Sequence, residues 1–168
     1  MVIFKDIGEI EQIEIPSDWV EAPRLETVGG RTLRKFHPLA RPDIRLCSYH
    51  RSVPISAPAA RAFQHTLYSP FHDLSHEELM ALEEVFEGLV NANAFEIVNA
   101  STGYLNNRRM IKVVGRWLET KQDSVAYFFD VDGKGESIQQ LYYAAPADEF
   151  DQHESAVRTI LQSIEWKR

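Results

Sequence analysis

The sequence predicts an α+β domain in which helices cover a central antiparallel sheet. Four runs of β-branched and aromatic residues follow one another between residues 94 and 145, with turn residues at intervals of about 8 to 14 positions. Helix signals lie on both sides of this block, as expected when helices cover an antiparallel sheet. The 168 residues are 44% hydrophobic and 26% charged, so a single domain spanning residues 1–168 is predicted.

Three short strands are expected before the first helix. Residues 9–15, EIEQIEI, alternate isoleucine with acidic residues until Pro16 ends the run, and Trp19 then covers one end of the core. A turn at Gly29 and Gly30 leads into RTLRKFHPL, and DIRLCSYHRSV alternates again. The last two segments are predicted to pair as antiparallel strands.

Two helices should follow these strands. Ser56 and Pro58 indicate a helix start, and apolar side chains recur every four residues until Ser69-Pro70, which predicts a helix near residues 57–68. The sequence SHEE at residues 75–78 is a capping box that starts a second helix. The apolar stripe of this second helix comprises Leu79, Leu82, Phe86 and Leu89.

The C-terminal half is predicted to be a four-stranded meander followed by a helix. Its strands are AFEIVNAS, RRMIKVVGRWLET, SVAYFFDV and ESIQQLYYAA. The final helix is expected to start at Pro146 and to place Phe150, Val157, Ile160 and Leu161 on one face.

The turn DVDGKGE at residues 130–136 begins like an EF-hand calcium loop. Lys134 and Leu141, however, stand where that loop needs an oxygen ligand and a bidentate glutamate, and the flanks have strand character. We therefore favour a hairpin turn, in which the two glycines supply positive φ angles, over a calcium site.

Neither the histidines nor the cysteine predict a site. His72 precedes the cap at Ser75, so its spacing to His76 does not place both rings on one helix face, and a solvated helix start is favoured over zinc. Cys47 and His50 are three positions apart in a strand and should point to opposite faces. The sequence has no GxSxG, GxGxxG or Walker motif, so we expect no cofactor, and a non-enzyme is favoured over an enzyme.

Composition indicates the class of partner. The net charge of −7 argues against nucleic-acid binding, although residues 31–51 carry +5 and residues 73–87 carry −6. Apolar runs are too short for membrane insertion, the first residues lack the pattern of a secretory signal, and Cys47 is the only cysteine. These features predict a soluble cytoplasmic protein, with its oligomeric state left open.

The two ends of the chain resemble the PsbP-like superfamily. EIEQIEIPSDW is similar to the strand, proline and tryptophan turn that open this fold, and SIQQLYYAAPADEFDQHESAVRTILQSIEW is similar to its closing strand and helix. The resemblance spans nearly the whole chain. It implies the α/β/α sandwich that PsbP shares with the Ran-binding Mog protein and with chaperones of type VI secretion effectors, where it serves mostly as a binding platform.

Two surfaces are therefore candidates. The first is the acidic N-terminal segment, in which Asp18, Glu21 and Glu26 would meet a protein partner, as acidic residues do in the Ran-binding relative. The alternative is a pocket for a small molecule or an anion beside the basic strands of residues 31–51, formed by Arg45, His50, Arg51 or Arg109. A plain solvated face, neutralised by the acidic helix of residues 73–87, is favoured over this basic site.

Overall fold

The structure, a computed structural model, describes residues 1–24, 32–51 and 53–168. Four α-helices lie within these residues, at Ala57–Tyr68 (α1), His76–Ala81 (α2), Glu83–Phe86 (α3) and Phe150–Gln162 (α4), and a 3-10 turn follows α3 at Glu87–Val90. The strands of the described residues are Val2–Ile7 (β1), Ile10–Ile15 (β2), Trp19–Glu21 (β3), Thr32–Pro38 (β4), Arg45–Arg51 (β5), Phe95–Leu105 (β6), Arg108–Trp117 (β7), Gln122–Asp130 (β8), Ile138–Pro146 (β9) and Glu165–Trp166 (β10).

A seven-stranded antiparallel sheet, in the order β3-β4-β5-β9-β8-β7-β6, is the centre of the fold. One face, called here the hairpin face, packs against α4 and a small sheet of order β1-β2-β10. The opposite face, called here the helical face, packs against α1, α2 and α3. The predicted α+β class with an α/β/α sandwich is confirmed.

Most predicted strands are present with the predicted pairing. β4 and β5 are antiparallel, and β6 to β9 form the meander. The strand at residues 9–15 is confirmed as β2, and Trp19 is buried beside it. The strands β1 and β10 were not predicted, because VIFKDI lacks clean alternation and the two residues of β10 are too few to form a pattern.

The helix predictions are confirmed in part. The first helix lies at the predicted residues 57–68, and the capping box at Ser75 and Glu78 is formed. The second helix is not continuous, because Leu82 ends α2 and Glu87 takes a positive φ of 50° after α3. The final helix starts at Phe150 rather than Pro146, because β9 continues through Pro146 to pair with Gln122.

The DVDGKGE segment is the predicted hairpin turn between β8 and β9. Gly133 and Gly135 have positive φ angles, and a Cβ on Gly135 would lie 2.7 Å from the carbonyl oxygen of Ala60. The Asp130 carboxylate accepts hydrogen bonds from the Gly135 N–H and the Tyr68 hydroxyl. Its oxygens therefore hold the turn against α1.

Gln139 fixes the small sheet to the large one. Its side chain has no exposed surface and donates from Nε2 to the Ile7 carbonyl and the Ser48 hydroxyl, both at 2.9 Å. Its Oε1 accepts from the Glu9 N–H at 2.7 Å. Gly8, at φ 61°, lets the backbone approach this amide, since a Cβ there would lie 2.7 Å from Oε1.

No helix of the described residues is both long enough and apolar enough to cross a membrane.

Candidate functional site

In the acidic N-terminal segment, one candidate residue is exposed and another is bound within the fold. Asp18 is exposed in the turn before β3. Glu21 accepts two hydrogen bonds from the buried Arg34, Nε to Oε1 at 2.8 Å and Nη2 to Oε2 at 2.9 Å. These bonds outweigh burial and hold the pKa of Glu21 below its usual value. Glu26 lies outside the described residues. Asp18 is therefore the clean residue for testing this surface.

The four residues of the basic alternative do not converge. Arg45 and Arg51 lie on the helical face of β5, whereas His50 lies on its hairpin face, opposite Gln139. The Arg45 guanidinium donates to Gln122 Oε1 at 2.9 Å. Burial lowers the pKa of His50, which favours its neutral form.

Two of these arginines bind helix and turn carbonyls. Arg51 is 2% exposed and donates to the carbonyl oxygens of Glu84 and Val85 at 3.2 and 2.6 Å, so it holds α3 against the sheet. Arg109 donates to the carbonyl oxygens of Leu67 and Ser69 at the end of α1. Arg51 and Arg109 thus attach α3 and the end of α1 to the sheet.

Cys47 is confirmed as a buried thiol on the face opposite His50. It lies across from Tyr142 on the helical face, and burial raises the pKa of its thiol. A raised pKa keeps the sulfur protonated and makes it a poor nucleophile.

His72 belongs to a helix start rather than to a ligand set. Its Nδ1 lies 2.7 Å from the Pro70 carbonyl and its Nε2 lies 2.8 Å from Glu78 Oε2, and these two acceptors raise the pKa of His72. His76 lies separately on the exposed side of α2. Among residues 1–24, 32–51 and 53–168, no three potential metal ligands come together.

An apolar groove beside the edge strand β6 is the feature that the sequence did not reveal. It encloses about 440 Å³ between α2, the 3-10 turn and β6. Two apolar side chains at its rim are strongly exposed, Met80 at 48% and Leu118 at 42%. Val98, on β6, is 70% exposed. This α2–β6 groove is lined mainly by His76, Leu79, Met80, Val90, Ile97 and Leu118.

Local structure explains how the groove forms. The capping box at Ser75 starts α2 directly after residues 72–74, which lie against β6, so α2 leaves the sheet at this point. Gly115 on β7 lets the Phe95 ring lie over the backbone, because a Cβ there would be 2.5 Å from that ring. Phe95 lines the groove and packs edge to face against Trp117, with ring centres 4.8 Å apart.

Two further cavities lie on the helical face next to β4 and β5. One, of about 270 Å³, is lined by Leu33, Tyr49 and Tyr142, and the other, of about 370 Å³, by Arg45 and Asn93; Trp117 lines both. These cavities lie on the side of the sheet where two of the four predicted residues, Arg45 and Arg51, are placed, and of the four Arg45 lines one of them.

Comparison with known proteins identifies the fold. No family model and no curated protein matches the sequence. The solution structure of cyanobacterial PsbP (CyanoP) from Synechocystis sp. PCC 6803 is similar, with a TM-score of 0.63, 14% identity, and coverage of 99% of this chain and 92% of that one. The crystal structure of LpqN, involved in cell envelope biogenesis of Mycobacterium tuberculosis, covers 99% of this chain and 90% of its own at 13% identity and a TM-score of 0.46.

The protein therefore has the PsbP-like α+β fold that the resemblance implies. Its likeness to the Mog protein stays a prediction. At 14% identity the likeness to CyanoP concerns the fold alone, so function has to be argued from the surfaces of this chain.

Proposed function

We propose that the protein is a non-catalytic binding domain that docks a partner protein in the α2–β6 groove. The observation that carries this proposal is the exposure of Met80 and Leu118 at the rim of an apolar cavity. Exposed apolar side chains grouped around a concave surface are typical of protein-binding sites, and methionine adapts to partners of irregular shape.

The rigidity of the groove favours binding without rearrangement. Its wall α2 is fixed at the start by the capping box, and the neighbouring α3 is attached to the sheet by the buried Arg51. Its floor belongs to the meander, where β6 pairs with β7 along nearly its whole length. A groove held in this way is preorganised, so less of the interaction energy is lost in ordering it.

The test is affinity capture from a lysate of the native cells, followed by mass spectrometry, with the wild type and two variants. Met80→Glu puts a charge on the rim of the groove and should reduce recovery of the specific partner by at least tenfold. Leu39→Glu makes the same kind of change in the turn after β4, at a leucine 71% exposed, and should recover the partner fully. Undiminished recovery by Met80→Glu, with its melting temperature unchanged, would contradict the proposal.

The acidic surface can be tested in the same capture. Asp18→Lys reverses the charge of an exposed residue that makes no side-chain ion pair within the described part of the chain. If Asp18→Lys loses the partner while Met80→Glu keeps it, the docking site is the acidic N-terminal segment and not the groove.

A second candidate function is the binding of a small anionic molecule in the cavities that share Trp117. Arg45 at one end could pair with an acidic group, and the indole could stack on a planar ring. This candidate predicts that native mass spectrometry finds a co-purified ligand that Arg45→Met loses. A clean apo mass for the wild type, with no thermal shift from phosphorylated metabolites, would count against it.

A further inference from the structure

We propose that the partner of the α2–β6 groove presents a short extended segment of alternating apolar and basic residues, which adds as a strand to the open edge of β6. This inference rests on the proposed function and specifies the chemistry of the partner. Three observations lead to it: an unpaired stretch of strand edge, an apolar groove on one side of that stretch, and exposed carboxylates on the two elements that border it, Glu77 on α2 and Glu96 on β6.

The outer edge of β6 is covered at both ends and open in between. Residues 72–74 cover its far half, where the Leu74 N–H donates to the Ala100 carbonyl at 2.8 Å and the Thr102 N–H donates to the His72 carbonyl at 3.0 Å. At the near end the Phe95 N–H donates to the Asn91 carbonyl at 2.9 Å. Within the described residues, no strand pairs with the outer edge of residues 96–99.

The open stretch has the size of a short strand. Four residues of a strand span about 13 Å, and their outward N–H and C=O groups can pair with an added chain. A register shift lies between Ile97 and Asn99, so Val98 bulges at this point and is 70% exposed. A bulge next to a functional site re-aims side chains, and here it marks the opening in the covered edge.

Alternation along the added strand sets its side-chain pattern. Side chains of one strand point to opposite sheet faces in turn. On the helical face they would enter the groove and contact Met80 and Ile97, which requires apolar residues. On the hairpin face they would lie near the exposed Glu96, which favours lysine or arginine. An apolar residue at every second position, with a basic residue between, satisfies both faces.

The charge around the groove selects the same sign. Residues 62–107 include α2, α3 and all of β6 and contain no lysine or arginine. Their carboxylates are Asp73, Glu77, Glu78, Glu83, Glu84, Glu87 and Glu96. Glu77, Glu83 and Glu96 are exposed. Arg116 on β7 lies opposite Glu96 but donates to the Asp123 carboxylate at 2.7 Å, so the exposed carboxylates of this region favour a basic partner.

The test is selection of a phage-displayed library of random 12-residue peptides on the immobilised full chain. Selected peptides should alternate apolar residues with lysine or arginine and should lack proline in the alternating part. A synthetic copy of one such peptide should slow amide hydrogen exchange at Ile97 and Val98 by at least tenfold. The same peptide with alternate amides N-methylated should not bind, because it cannot donate ladder hydrogen bonds.

Two variants separate the edge from the rest of the surface. Val98→Pro introduces at the bulge a residue that edges tolerate but that cannot donate a hydrogen bond, and it should abolish peptide binding. Glu96→Lys changes only an exposed charge and should weaken binding at least tenfold. Asp148→Lys, at an exposed residue in the turn before α4, is the matched control and should bind as the wild type does.

Several results would overturn the inference. These are selection of acidic or proline-rich peptides, failure to select any peptide above background, and binding that leaves exchange at residues 96–99 unchanged. If one of these occurs while Met80→Glu still loses the captured partner, the proposed function stands and only strand addition is wrong. If Met80→Glu keeps the captured partner, the proposed function itself fails.

Discussion

The hairpin face buries polar groups with their hydrogen bonds satisfied, whereas the α2–β6 groove exposes apolar groups. Beneath the β1–β2 hairpin, the buried Gln139 and Arg34 have their hydrogen bonds satisfied by other parts of the chain. At the groove, apolar Met80 and Leu118 are exposed, and a stretch of strand edge has no partner strand within the described residues. The polar groups beneath the hairpin are satisfied within the chain, whereas the groove exposes apolar side chains and strand-edge groups that a partner can bind.

Most of the charged residues that first suggested a function instead stabilise the fold. Glu21, Arg51 and Arg109 are each bound by groups of this chain, so removing them should affect stability before it affects binding. Conversely, residues of the groove rim should affect binding with little effect on stability.

The largest loss of stability is expected at the junction of the two sheets. Gln139→Leu removes an amide that satisfies the Ile7 carbonyl, the Glu9 N–H and the Ser48 hydroxyl, so these buried groups lose their partner. We expect the free energy of unfolding to fall by about 3 to 4 kcal/mol, measured by urea denaturation. Gln152→Leu, on the exposed side of α4, is the control and should change it by less than about 0.5 kcal/mol.

A loss of about 2 to 3 kcal/mol is expected from Glu21→Ala, because Arg34 then remains buried without its carboxylate. Asp18→Ala, three positions away, should cost less than about 0.5 kcal/mol. Equal effects of the two variants would show that both acids are plain surface residues and would remove the distinction drawn between them.

The effect of Glu21 should also depend on pH with a definite sign. The folded pKa of this carboxyl lies below its unfolded value of 4.5, chiefly because of the hydrogen bonds from Arg34. Its stabilisation is therefore fully present above pH 4.5 and is lost as the pH falls through the folded pKa. Urea denaturation of wild type and Glu21→Ala should give a difference that narrows below this pH.

A smaller effect is expected at His72, where residues 70–74 meet the start of α2. The hydrogen bond to Glu78 raises the folded pKa of His72 above 6.5, so the stabilisation is complete below pH 6.5 and is lost as the pH rises through the folded pKa. His72→Gln should lower the free energy of unfolding by roughly 0.5 kcal/mol at pH 5.5, and the difference should fade at higher pH. A difference that grows with pH would contradict this assignment.

The sequence predicted the fold well because periodicity and turn chemistry are local signals. The capping box at Ser75, the helix at residues 57–68 and the DVDGKGE turn could all be located from a few neighbouring residues. The break of the second helix could not, because nothing in its apolar stripe signals the positive φ of Glu87. The short strand β10 forms because β2 offers an edge to residues far away in sequence.

The candidate site was missed for a related reason. Leu79 belongs to the stripe that predicted a helix, and its place beside Ile97 and Leu118 depends on where α2 leaves the sheet. The exposure of Met80 and the open edge at Val98 are tertiary properties that no local pattern encodes. Charge, in contrast, is visible in sequence, and the acidic run from residue 73 to residue 87 includes α2, which forms one wall of the groove.

The central claim, that a partner docks in the α2–β6 groove, is tested most directly by hydrogen–deuterium exchange of the protein alone and in complex with its captured partner. We expect slower exchange in residues 76–81 and 95–99 of the complex. Exchange in residues 18–24 and 45–51 should be the same with and without the partner. Protection of residues 18–24 or 45–51, with the groove exchanging as it does in the free protein, would contradict it.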